Sequence, residues 1–181
     1  MAIRVEVYTI GGMASGILAR PGTLREALTA DPELHLERAA WQALGESVPR
    51  SAGTLTFATD DILFAVADEE PSGPMHVAWH HVLLDAGPYL LEGELATMPG
   101  FDPGRSLTRP SGEWVLLRDV RLSVRAHPEA GVSVGDHALV NRYGVERIRA
   151  DLMLGFFFPG AVIDFAGAAV DAPRSAAAGV A

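Results

Sequence analysis

The stretch MASGILARPG, residues 13–22, and the stretch LLEGELATMPG, residues 90–100, carry the same marks in the same order. Each passes through a glycine, reaches leucine two positions later and stops at Pro-Gly; the pairs are Gly16 with Leu18 and Gly93 with Leu95. A glycine inside an alternating run weakens a strand and marks a bulge, a bend or a close backbone approach. Its recurrence predicts that a strand bends at the same place in two copies of one unit, and an internal repeat decides the fold before any single element does.

The rest of each copy follows outward from that strand. Upstream lie an alternating segment and a turn, VEVYTIGG (5–12) and HVLLDAGP (81–88). Downstream come an irregular connection, a third strand (34–41; 114–122) and two short strands around a tight turn, Asp60-Asp61 in one copy and Arg142-Tyr143-Gly144 in the other. The hydrophobic period disappears in ADEEPSGPM (67–75), where three acidic residues run into Pro-Ser-Gly-Pro. The predicted fold class is all-β: two tandem five-stranded small antiparallel barrels, units 1–67 and 76–151 joined by a linker at 68–75, then an apolar segment at 152–170 and a disordered tail at 171–181. Closure into barrels removes most sheet edges. Units this small gain little from one core, so packing of the two together or further oligomerisation is expected. One short helix is predicted in TLREALTA (23–30), where Thr23 stands as cap and Glu26 three residues on, the capping-box spacing.

Composition excludes several classes. The 181-residue chain has 14 basic against 23 acidic residues, a formal charge of −9 that opposes unspecific binding to phosphate backbones. Every basic residue is arginine, and with no cysteine there are no disulfides, thiolate metal sites or cysteine nucleophiles. The opening MAIRVEVYTIGG enters alternation directly, without the apolar region of a signal peptide, so a cytoplasmic location is expected. The apolar run LMLGFFFPGAVIDFAGAAV (152–170) is interrupted by Pro159, three glycines and Asp164, so no membrane span is expected there. A buried closing strand, or a patch covered by a partner, fits it better.

The order of elements resembles the Sm-like (LSm) fold, and other five-stranded SH3-like barrels share its spacing. The residues that carry the likeness are Val5, Val7, Gly16, Leu18 and Leu36 in the first copy and Gly93, Leu95, Leu117 and Asp119 in the second; ALVNRYGVERI (138–148) resembles the family's second motif. The resemblance implies small barrels with a bent second strand and, in members that hold RNA, an Asp-x-x-x-Asn pattern before the third strand and an Arg-Gly or Lys-Gly turn before the fifth. This chain departs from both. Neither copy has the asparagine; Asn141-Arg142-Tyr143-Gly144 is a partial likeness, and Thr59-Asp60-Asp61 repels phosphate. Nucleic acid is therefore a doubtful partner.

Candidate site residues are few. Arg118, Arg121, Arg142, Arg147 and Arg149 gather late in the chain and form a candidate anion- or partner-binding band, unless they pair with Asp119, Asp136, Glu146 and Asp151. Phe156, Phe157 and Phe158 are candidate interface residues, because alternation sends at least one away from the core its neighbours fill. His76 and His80 share one face of a strand and Trp79 and His81 the other; two histidines offer two metal ligands, but no third stands nearby. No nucleophile elbow, P-loop or dinucleotide fingerprint occurs, no catalytic residue is assigned and no cofactor is expected. The leading expectation is a non-enzymatic, self-associating scaffold or binding module, with a homo-oligomer or protein partner. An Sm-like nucleic-acid or nucleotide binder using the late arginines, and a small metalloprotein using the histidine strand, are the alternatives.

Overall fold

The computed structural model describes residues 2–68, 77–97, 112–150, 154 and 157–165. Most of the expected linker, His76, Phe156 and the tail at 171–181 lie outside the described residues. Among the described residues the chain is all-β apart from one α-helix and a 3-10 turn. The first half runs β1 (Arg4–Thr9), β2 (Gly12–Leu18), α1 (Leu24–Ala30), β3 (Glu33–Ala43), β4 (Arg50–Ala58) and β5 (Ile62–Ala67). The second runs β6 (Ala78–Ala86), β7 (Tyr89–Thr97), β8 (Trp114–Val124), β9 (His127–Asn141) and β10 (Arg147–Ala150), and β11 (Val162–Phe165) follows. The strand before the last turn is thus long in both halves, where two short strands are predicted.

Local chemistry accounts for these elements. In β2 and β7 alternate residues are buried, the pattern of strands with one face on a core. In α1, Leu24, Ala27 and Leu28 are buried at helical spacing, the Thr23 hydroxyl accepts from the Glu26 amide and the Glu26 carboxylate accepts from the Thr23 amide. The capping box stands as the spacing predicts.

All eleven strands belong to one sheet, in the order β11-β10-β6-β7-β8-β9-β5-β1-β2-β3-β4. Within it one arrangement occurs twice: β5-β1-β2-β3-β4 in the first half and β10-β6-β7-β8-β9 in the second. The registers agree as well. Val5 lies opposite Gly16 and Ala67, and Val82 opposite Gly93 and Ala150. The ladder between second and third strand shifts at Gly16 in one half and at Gly93 in the other. Facing those glycines, Arg38 and Asp119 adopt φ values of 49° and 53°, the extra residues of two matching bulges. A Cβ on Gly16 would lie 3.1 Å from the Glu37 carbonyl oxygen, and one on Gly93 3.0 Å from that of Arg118. The expected effect of Gly93→Ala is a loss of about 1–3 kcal/mol, since backbone must yield to a methyl in a packed sheet; urea unfolding checks it, and an unchanged midpoint would mean that the bulge has room to spare.

The halves join edge to edge: β5 pairs antiparallel with β9 through Phe64 opposite Val140 and Ala65 opposite Leu139. This joint differs from the expected barrels with few edges. Among the described residues no pairing closes β4 on β5 or β9 on β10, and the sheet stays open, with β4 and β11 as its outer strands. The physical reason lies in the joint itself, because the hydrogen-bonding edge that closure of either half would use is taken by the other half.

Two hydrophobic clusters flank the joint. One contains Val5, Val7, Leu34 and Leu36 of the first half, Leu24 and Leu28 of α1, and also Trp114 and Leu139 of the second. The other contains Val82, Leu84, Leu91 and Leu117 of the second half together with Tyr8, Phe64 and Val66 of the first. Side chains alternate along β5 and β9, so Phe64 and Val140 enter one cluster while Ala65 and Leu139 enter the other. A strand buried on both faces reads as an unbroken apolar run, and ILFAVA (62–67) is one. Phe64 stacks on Tyr8 at 4.2 Å and meets Tyr89 edge-on at 5.4 Å. Burial, and then the Glu6 carboxylate that accepts its proton at 2.9 Å, raise the Tyr8 phenol far above its ordinary pKa, and burial pushes Tyr89 up to about 12. The aromatic joint is buried.

Candidate functional site

Of the late arginines, Arg118, Arg147 and Arg149 are held by carboxylates on neighbouring strands. Asp85, at the end of β6 and only 6% exposed, accepts from Arg149 at 2.7 Å and lies 3.8 Å from Arg125, which also donates to Glu146 at 2.9 Å. Arg147 on β10 donates to Asp164 on β11 at 2.9 Å. Arg118 donates through Nε to Glu94 at 2.6 Å, stands 3.5 Å from Asp119 and covers the Trp79 ring at 4.0 Å. Arg142 is buried; its amide donates to the Glu113 carbonyl at 2.9 Å and its guanidinium to the Gly112 carbonyl at 3.4 Å, 5.6 Å from the Tyr143 ring. Arg121 is exposed and sits opposite Glu92 in register, while the Glu92 carboxylate meets His81 at 3.0 Å.

These positions do not converge on one pocket. Arg147 and Arg149 are on β10, Arg118 and Arg121 on β8, and Arg142 in the turn between β9 and β10. Two of the partners foreseen from sequence take part, Asp119 and Glu146; Asp151 lies outside the described residues. Sequence reasoning passed over Asp85, Glu94 and Asp164, which hold most of the band. Glu94 lies directly opposite Arg118 in the β7–β8 ladder, a signal readable only once the register is known.

The histidines have local partners too. His80 is 2.8 Å from the Thr97 hydroxyl, and His35 is 2.9 Å from the Thr56 hydroxyl. Among the described residues no group of three or more His, Asp or Glu side chains is placed to hold a metal ion. No described helix is long and apolar enough to cross a membrane. The two described phenylalanines of the candidate interface are internal: Phe157 is 7% exposed and Phe158 fully buried, and with Leu154 they fill the second-half cluster. That segment closes the second core as α1 closes the first.

A cleft of about 900 Å³ opens where β5 and β9 diverge beyond their two paired positions. Arg4, Glu6, Asp68, Asp136 and His137 line it. Its charged lining is one arginine against three carboxylates, a field that leans negative and opposes an anionic ligand.

The geometry that stands out is the set of sheet edges. The β5 edge is used inside the chain, by β9. The corresponding edge of β10 carries β11, which pairs with it in parallel from Arg147 opposite Val162 to Ala150 opposite Phe165. The outer edge of β4, counterpart of the β9 edge, pairs with no strand among the described residues. Comparison with known proteins adds no relative: no family model, no curated protein and no solved structure matches the chain.

Proposed function

We propose that the protein is a non-enzymatic, self-associating scaffold built from two copies of a small β unit whose strand order is that of Sm-like or SH3-like barrels, left open where the halves join, and that it associates by adding strand to strand at its sheet edges. The observation that carries this reading is the β5–β9 joint, in which one half already binds the other through an edge that each half owns. By the ladder positions Leu36 opposite Leu55 and Leu117 opposite Ala138, Thr56 on β4 corresponds to Leu139 on β9 and Phe57 to Val140. Strand β4 is nine residues long and, among the described residues, unpaired on one side. Such an edge is a template for another chain unless lysine, proline or a cover blunts it, and this chain has no lysine. The engaged arginines speak against the nucleic-acid alternative, because a phosphate would have to displace Asp85, Glu94 or Asp164.

Sedimentation velocity over a range of concentrations tests the reading. The wild-type chain is expected to gain mass with concentration. The double variant Thr54→Lys with Thr56→Lys, both exposed positions, is expected to remain monomeric with an unchanged melting temperature, because edge charges block strand addition. A wild-type chain that stays monomeric throughout, or a double variant that associates as well as wild type, would overturn it.

A further inference from the structure

We propose that β11 is a displaceable cover over the edge of β10, and that the uncovered edge receives β4 of a second copy of this chain; this rests on the self-association reading above. The argument starts from register. Val7 lies opposite Ala65, and its counterpart Leu84 lies opposite Ile148, so Ile148 on β10 stands where Ala65 stands on β5. Ala65 and its neighbour Phe64 are the two residues that β5 offers to β9. The same edge positions on β10, Arg147 and Ile148, are opposite Val162 and Ile163 of β11. Strand β11 therefore occupies the place that a β9-like strand takes in the first half, and among the described residues the unengaged strand of that kind is β4.

Three features make β11 a weaker occupant than β9. Its pairing is parallel, a geometry less stable per residue than the antiparallel ladder of the joint. Its side chains hold it through one partly buried contact: Ile163 packs against the second cluster, while Val162 is 55% exposed and the Arg147–Asp164 pair is 49% and 43% exposed, where an ion pair contributes almost nothing net. Its anchor is separate. Leu154, Phe157 and Phe158 hold the preceding segment in the core, so β11 can leave the edge without removing them. Against this, an incoming β4 brings the antiparallel ladder seen at β5–β9. Release of β11 from one copy and entry of β4 from the next joins copies head to tail, each adding its own covered edge for the following one, and such heterologous contacts build rings or filaments.

Four forms are compared by sedimentation velocity and melting temperature: the whole chain, a chain ending at Ala161, full-length Asp164→Arg, and the chain ending at Ala161 with Thr54→Lys and Thr56→Lys. The chain ending at Ala161 is expected to assemble at a concentration roughly tenfold lower than the whole chain. Asp164→Arg, which sets like charges against each other at the Arg147 pair, should shift assembly the same way by less, and serves if the shortened chain folds poorly. The lysine variant should undo the gain. If the shortened chain and Asp164→Arg assemble no more readily than wild type while the lysines still block wild-type association, β11 is no cover and the β4 reading stands alone. Weaker assembly on losing β11 makes the strand part of the interface and overturns the proposal. If no form associates, both readings fall together.

Discussion

A chain ending at Asp151 is expected to lose most or all of its folding stability. The segment it lacks is small, but Leu154 and Phe158 are fully buried and Phe157 is 7% exposed, all within the cluster that holds Val82, Leu84, Leu91 and Leu117. Each large apolar side chain withdrawn from a core forfeits about 1.5–3 kcal/mol of transfer free energy, and the cavity left behind adds to that. Three such losses come to roughly 5–9 kcal/mol before any cavity, against a total stability of about 5–15 kcal/mol for ordinary domains. Urea unfolding followed by circular dichroism checks it, with the chain ending at Ala161 as the partner experiment. That longer chain keeps all three side chains and should unfold near the wild-type midpoint. Equal midpoints for the chain ending at Asp151 and for wild type would show that the second core closes without this segment.

The other large effect is expected at the joint. Phe64→Ala should cost about 3–5 kcal/mol, lowering the melting temperature by roughly 6–20 °C for a chain of this size. Phe64 has no solvent exposure, stacks on Tyr8 of the same half and meets Tyr89 of the other half edge-on. Its loss therefore weakens both halves and the contact between them. Phe57→Ala is the control: Phe57 sits on β4, half-buried and tilted against Trp41 at 6.1 Å, and its removal should cost much less. If the two substitutions lower the melting temperature equally, the aromatic cluster is not what holds the joint.

The legible parts of this fold were those written in residue types with one strong backbone meaning. Gly16 and Gly93 announce a bend inside a strand, and both ladders shift at those glycines. Thr23 and Glu26 announce a helix start, and the helix is there. Of the residues facing the glycines, Arg38 was not legible: it and Asp119 both take the left-handed backbone that glycine, asparagine or aspartate signals, and an arginine gives no such notice. The joint left a trace that alternation alone does not decode: ILFAVA is apolar without a break because β5 is covered on both faces. The arginine partners depended on register. A slip of one residue exchanges the faces of a strand, so a chain with register shifts in five of its described ladders hides which carboxylate faces Arg118 or Arg149 until the ladders are known.

The exchange of side chains between the two cores has a consequence for synthesis on the ribosome. Val5, Val7, Leu34 and Leu36 share a core with Trp114 and Leu139, so the first half cannot finish its interior from its own residues. At roughly 5–20 residues per second, elongation from Ala67 to Leu139 takes roughly 4–14 s. Through that interval a nascent chain presents the bare edge of β5 and the apolar face that Leu139 later covers. The stretch ILFAVA then stays exposed until the second half is made, and slower elongation between the halves would lengthen that exposure rather than help the first half to fold.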